Sequence, residues 1–159
     1  MSRVISEERM IRIRLLMLML LVIIAGCAMP RIIIYDDPLS SEEHLKLGMA
    51  YEKDGEFDNA ITEYKAAVKR LPIAYLYLGN VYFQKNELDQ AEKYYKKGIR
   101  KESHNADVHN NLAWLYYIRK ENLDRAETLA LKAMELDPSK RDVYMDTLEK
   151  VRELKGRNK

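Results

Sequence analysis

The 159 residues carry 27 Lys and Arg against 25 Asp and Glu, a formal net charge of +2. Such a balance gives no global basic field to concentrate nucleic acid, so no nucleic-acid partner is expected. One cysteine, Cys27, excludes an intrachain disulfide and a cysteine metal cluster, and no metal or cofactor is expected.

Arg3, Arg9, Arg12 and Arg14 precede fifteen consecutive uncharged residues, Leu15 to Met29. A spanning helix needs about 20 apolar residues, whereas a secretory signal has a basic start, a shorter apolar stretch and small residues before the cut. The signal fits better. Ile24-Ala25-Gly26-Cys27 resembles the lipobox of bacterial lipoproteins, in which the cysteine thiol is joined to diacylglycerol, the chain is cut before it and the new amino group is acylated, typically with palmitate. Residues 1–26 are therefore expected to be a cleaved lipoprotein signal peptide, with Cys27 the lipidation site. The alternative is an inert, buried cysteine in an uncleaved anchor. Two or more acyl chains make anchoring stable where one is marginal. Ala28 stands where Asp favours inner-membrane retention, so the expected location is the outer membrane of a bacterial envelope, facing the periplasm. Beyond the signal the chain holds 23 residues of each charge sign.

Residues 27–40 read as the lipidated cysteine and a linker. Pro30 and Pro38 argue against a helix there. Two readings of the apolar run Ile32–Ile34 stay open: part of an extended tether, at about 3.3 Å per residue, or a segment folded back on the first helices.

From Ser41 on, one pattern returns three times, over 41–72, 72–105 and 106–138. Gly48, Gly79 and Ala113 are spaced by 31 and 34 residues, with Tyr51, Tyr82 and Tyr116 three residues after each and Ala60, Ala91 and Ala126 in the next element. Leu47, Ala50 and Tyr51, then Leu78, Val81 and Tyr82, recur at helical spacing, so each first helix should bury one stripe. Polar turns follow, and Gly55 and Asn86 suit the left-handed backbone that ends a helix. Each second helix opens with an Asp, at 58, 89 and 124, that complements the positive helix end. The small residues predict close approach of Gly48 to Ala60, Gly79 to Ala91 and Ala113 to Ala126. Residues 139–159 read as a charged capping helix and basic tail, the solvated end a stacked array needs.

The period, the Gly-Tyr-Ala positions and the aromatic pair Tyr64 and Tyr95 resemble the tetratricopeptide repeat family over residues 41–155. The resemblance implies an all-α fold, a right-handed superhelical array of three helix-turn-helix repeats plus a C-terminal capping helix. At Ala130 the family's aromatic is missing, and Tyr144 is expected to fill that space. His44 and His109 fall on a position that packs between helices in the family.

Function follows from the resemblance as an expectation. In such arrays the first helices line a concave groove, and the aligned positions here include Met49, Tyr77, Asn80, Phe83, Asn110, Trp114 and Tyr117. Several of these could equally pack between neighbouring helices. Co-chaperone members hold a carboxylate with Lys, Asn and Arg, but those places carry Leu45, Met49, Tyr77 and Asp107, so the clamp is missing. No His pair, phosphate loop or nucleophile elbow marks an enzyme, and no small-molecule substrate is expected. The expected role is a membrane-anchored adaptor or scaffold that binds a protein or peptide partner and aids assembly of a pilus, secretion or other envelope complex. The alternative is a structural subunit or self-associating brick.

Overall fold

The computed structural model describes residues 2–25 and 38–157. Cys27, Ile32–Ile34 and most of the linker lie outside the described residues. Two compact units divide at residue 36. The first contains one helix, α1 (Ser2–Ala25), whose apolar side chains from Leu15 to Leu20 are all exposed. Among the described residues no helix is long and apolar enough to cross a membrane.

The second unit is all helical among its described residues: α2 (Ser41–Lys53), α3 (Phe57–Ala67), α4 (Ala74–Gln84), α5 (Leu88–Lys101), α6 (Ala106–Arg119), α7 (Leu123–Leu136), a 3₁₀ turn (Pro138–Lys140) and α8 (Arg141–Arg157). α2 with α3, α4 with α5 and α6 with α7 form helical hairpins, each second helix packs on the next first helix, and α8 covers α6 and α7. This is the superhelical repeat array that the period predicts.

Local chemistry explains the boundaries. Ser40 and Glu43 close a capping box at α2: the Ser40 hydroxyl accepts from the Glu43 amide at 3.2 Å, and the Glu43 carboxylate accepts from the Ser40 amide at 2.7 Å. Those bonds hold the Glu43 carboxyl below its ordinary pKa. Gly55 (φ 78°) and Asn86 (φ 60°) take the left-handed backbone expected of them. The third turn, expected to carry an extra residue, spans three residues like the others and uses two such residues, Lys120 and Asn122.

A Cβ at Gly48 would lie 2.6 Å from the Tyr64 ring, and one at Gly79 would be closer still to Tyr95. Each glycine therefore makes room for an aromatic ring from the second helix. The third repeat changes both partners together, with Ala113 for the glycine and Ala130 for the tyrosine, both fully buried. Tyr144, expected near Ala130, is 1% exposed on α8 and donates its hydroxyl to Asp107 at 2.8 Å.

Burial also varies along the array. Leu78 and Val81 are fully buried and Tyr82 is buried, whereas their first-repeat counterparts Leu47 and Tyr51 are half-buried and Ala50 is exposed. The Asp residues that open α3 and α5 do more than face a helix end. Asp58 accepts from Lys85 at 2.6 Å and Asp89 from Arg119 at 2.8 Å, each cation standing at the end of the following repeat's first helix.

Candidate functional site: the concave trough

The inner faces of α2, α4 and α6 form one trough, because residues three or four apart on a helix share a face. Two adjoining depressions make it up. One, of about 370 Å3, is lined by Met49, Glu52, Lys53, Tyr77, Asn80 and Gln84. The other, of about 250 Å3, is lined by Asn80, Phe83, Gln84, Tyr95, Asn111 and Trp114. They share Asn80 and Gln84.

Its floor is a hydrogen-bonded ladder that crosses from repeat to repeat. Tyr95 Oη and Asn111 Nδ2 both donate to Asn80 Oδ1 at 2.9 Å. Glu52 accepts from Tyr64 Oη at 2.6 Å and from Gln84 Nε2 at 2.5 Å. The core tyrosines thus bury their rings and still satisfy their hydroxyls at the groove surface. Burial pushes both phenols above their ordinary range, with the Glu52 carboxylate adding to the rise at Tyr64.

Apolar walls rise above this floor. Met49 is 44% exposed. Tyr77 lies against Tyr64, with ring centroids 5.3 Å apart, and Trp114 lies against Tyr117 at 5.0 Å. Phe83, Trp114 and Tyr117 are half-buried, so each packs and also faces solvent.

A family model described as tetratricopeptide repeat matches residues 45–104 and again residues 78–140. The chain belongs to the tetratricopeptide repeat family. It is 30% identical over 100 residues to human protein O-mannosyl-transferase TMTC2, a match that covers 59% of this chain and 12% of that protein. Among solved structures it is similar to the first tetratricopeptide domain of Spaghetti (RPAP3) bound to an HSP90 peptide, with a TM-score of 0.66 and 18% identity over 76% of this chain and 96% of that one. It is also similar to PcrH from Pseudomonas aeruginosa, with a TM-score of 0.66 and 21% identity over 75% and 98% of the two chains. At these identities the structures show a shared tetratricopeptide fold.

Of the seven groove residues expected from the family positions, Met49, Tyr77, Asn80, Phe83 and Trp114 line the two depressions. Tyr117 joins through its contact with Trp114. Asn110 is placed differently. It is 8% exposed, and its Oδ1 is buried without a hydrogen-bond partner, while its neighbour Asn111 lines the trough. One step along a helix turns a side chain by about 100°, which separates the two.

Glu52, Lys53 and Gln84 were missed, although they occupy the same tetratricopeptide positions as Phe83, Tyr117 and Ile118. Their polar character hid them among solvated residues. Lys150 was missed too: its ammonium lies 5.1 Å from the Trp114 ring centroid and 2.5 Å from Asp146. Asp107, at one of the clamp positions, accepts from Lys140 at 2.8 Å and from Tyr144.

Two of the histidines have structural work. His44 is 7% exposed and contacts Glu63 at 2.6 Å, and His109 Nδ1 donates to the Asn105 carbonyl at 2.9 Å.

Proposed function

We propose that the chain is a lipid-anchored adaptor of the bacterial cell envelope, whose trough takes a segment of a protein partner and so aids assembly of an envelope complex such as a pilus or secretion channel. The trough is the observation that carries the binding half. Three successive first helices present Met49, Tyr77, Phe83 and Trp114 along two adjoining depressions over a hydrogen-bonded floor, with Tyr117 packed against Trp114. Aromatic and Met side chains are the types that dominate peptide-binding hot spots and adaptable surfaces.

The chemistry of the walls supports an apolar or aromatic mode of recognition. The RPAP3 domain is titled as bound to an HSP90 peptide with the sequence SRMEEVD. In this chain the corresponding cation positions hold Leu45, Met49, Tyr77 and Asp107, which leaves an acidic tail without its clamp. The module is read as non-catalytic, since His44 and His109 are engaged in packing. Anchoring rests on the sequence around Cys27, and Ala28 after it supports the outer membrane.

The alternative, a structural brick, would present a broad apolar patch outside the trough. Among the described array residues, the large exposed apolar side chains that line neither depression are Leu39 before α2, Ile118 on α6, Leu131 on α7 and Val143 on α8. That scatter favours the adaptor. Crosslinking in intact cells, with Trp114→Ala and Tyr117→Ala compared against the parent protein, tests the groove. Loss of a captured partner in both variants is expected, and unchanged capture in both would sink this reading. For the anchor, Cys27→Ser should leave the chain unprocessed or released from membranes.

A further inference from the structure

The C-terminal end of the trough already holds a cation. Lys150 reaches from α8 to the face of Trp114 on α6, and its other contact is the Asp146 carboxylate one turn earlier on its own helix. Both side chains are accessible: Lys150 is 40% exposed and Asp146 is 61% exposed. An ammonium over an indole face beside a carboxylate is the arrangement that recognises a cationic side chain. Here the occupant belongs to the protein itself.

From this geometry we infer that the Trp114–Asp146 end of the trough is a recognition site for an Arg or Lys side chain of the partner segment, and that Lys150 occupies it until the partner arrives. The inference rests on the groove reading above and gives it a polarity. The partner segment lays apolar residues along Met49, Tyr77 and Phe83 and places its cation over Trp114. Asp146, released from Lys150, then pairs with that cation. Lys150 acts as a competitor, so it lowers affinity for every cationic segment and leaves an acidic one without this site.

Trp114 is the only tryptophan in the chain, so its emission reads occupancy of this site directly. The test uses the full chain in detergent and two eight-residue alanine-leucine peptides that differ only in a central Arg or Glu. The Arg peptide should bind more tightly than the Glu peptide. Lys150→Met should tighten the Arg peptide by about two- to fivefold, the range set by one cation–π contact. Lys150→Arg should match the parent protein, and Asp146→Asn should narrow the Arg preference. Lys140→Met removes an equal charge from Asp107 at the same end and should tighten the Arg peptide less than Lys150→Met does.

Equal affinities for the two peptides, or a Lys150→Met effect no larger than that of Lys140→Met, would overturn the inference. If neither peptide moves the Trp114 emission while Trp114→Ala still abolishes capture in cells, this inference fails and the groove reading stands. If capture is also unchanged, both fail.

Discussion

Lys155 Nζ, near the end of α8, lies 2.7 Å from Asp124 Oδ1 at the start of α7. It is the third instance of one pairing, after Lys85 with Asp58 and Arg119 with Asp89. In each, a cation at the end of one helix reaches back to the first turn of the preceding repeat's second helix. α8 therefore docks on the array as a further first helix would. Glu127 strengthens the last instance by accepting from Lys155 at 2.5 Å and Arg152 at 2.7 Å.

The pairing predicts acid sensitivity at the C-terminal end. Lys155, then Arg152, holds the Glu127 carboxyl below its ordinary pKa of 4.5. A depressed carboxylate contributes stability above its unfolded value and loses it as pH falls through the folded value. Thermal midpoints measured from pH 7 down to pH 3 should therefore fall, and more steeply in the parent than in Lys155→Met. At neutral pH that variant should lose a few degrees at most, as partly exposed pairs do. Equal slopes in the two proteins would refute the assignment.

Gly79 should not tolerate even a methyl group. Its Cβ would enter the Tyr95 ring, so Gly79→Ala should cost roughly 1–3 kcal/mol by overpacking, less any gain in helix propensity. Adding Tyr95→Ala imitates the Ala113 and Ala130 pairing of the third repeat. Urea denaturation of the two single variants and the double should show coupling, with the double less destabilised than the sum. Strict additivity would mean the ring does not meet the glycine.

Asn80 ties the trough floor to the core. Asn80→Ala leaves the Tyr95 hydroxyl without its acceptor and Asn111 Nδ2 without its partner, at about 1–3 kcal/mol for a buried group left unpaired. Asn80→Asp keeps an acceptor and should lose less. Chemical denaturation of both variants decides it.

Asn110→Leu should stabilise the fold. Repeats one and two carry Leu45 and Leu76 at the corresponding position, and an apolar side chain removes an unsatisfied buried amide worth about 1 kcal/mol or more. Urea denaturation of the variant beside the parent protein decides it, and an unchanged or lowered midpoint would refute the assignment.

Much of this fold was legible because its positions are geometric. Gly48 and Tyr64, or Gly79 and Tyr95, must fit within one hairpin, and a fixed period in the sequence reports that fit. The trough's apolar walls were legible for the same reason, since Met49, Tyr77, Phe83 and Trp114 fall where first helices face inward. What escaped were contacts between repeats and polar residues whose meaning depends on a distant partner. Glu52 and Gln84 look solvated until the array brings them to 2.5 Å, and Lys150 looks like one more charge on a capping helix. The neighbours Asn110 and Asn111 have the same composition and opposite environments, which helix rotation decides and residue type does not.

The half-open stripe of α2 makes the array unequal in time as well as in space. Repeat arrays open by local excursions whose free energy tracks nearest-neighbour burial. Leu47 and Tyr51 have less cover than Leu78 and Tyr82, while α8 seals the other end. Amide exchange should therefore run fastest in α2 and slow progressively toward α6, so the trough loosens from the Met49 side and keeps its Trp114 side formed. A partner would meet a mouth with one hinged edge and one fixed edge.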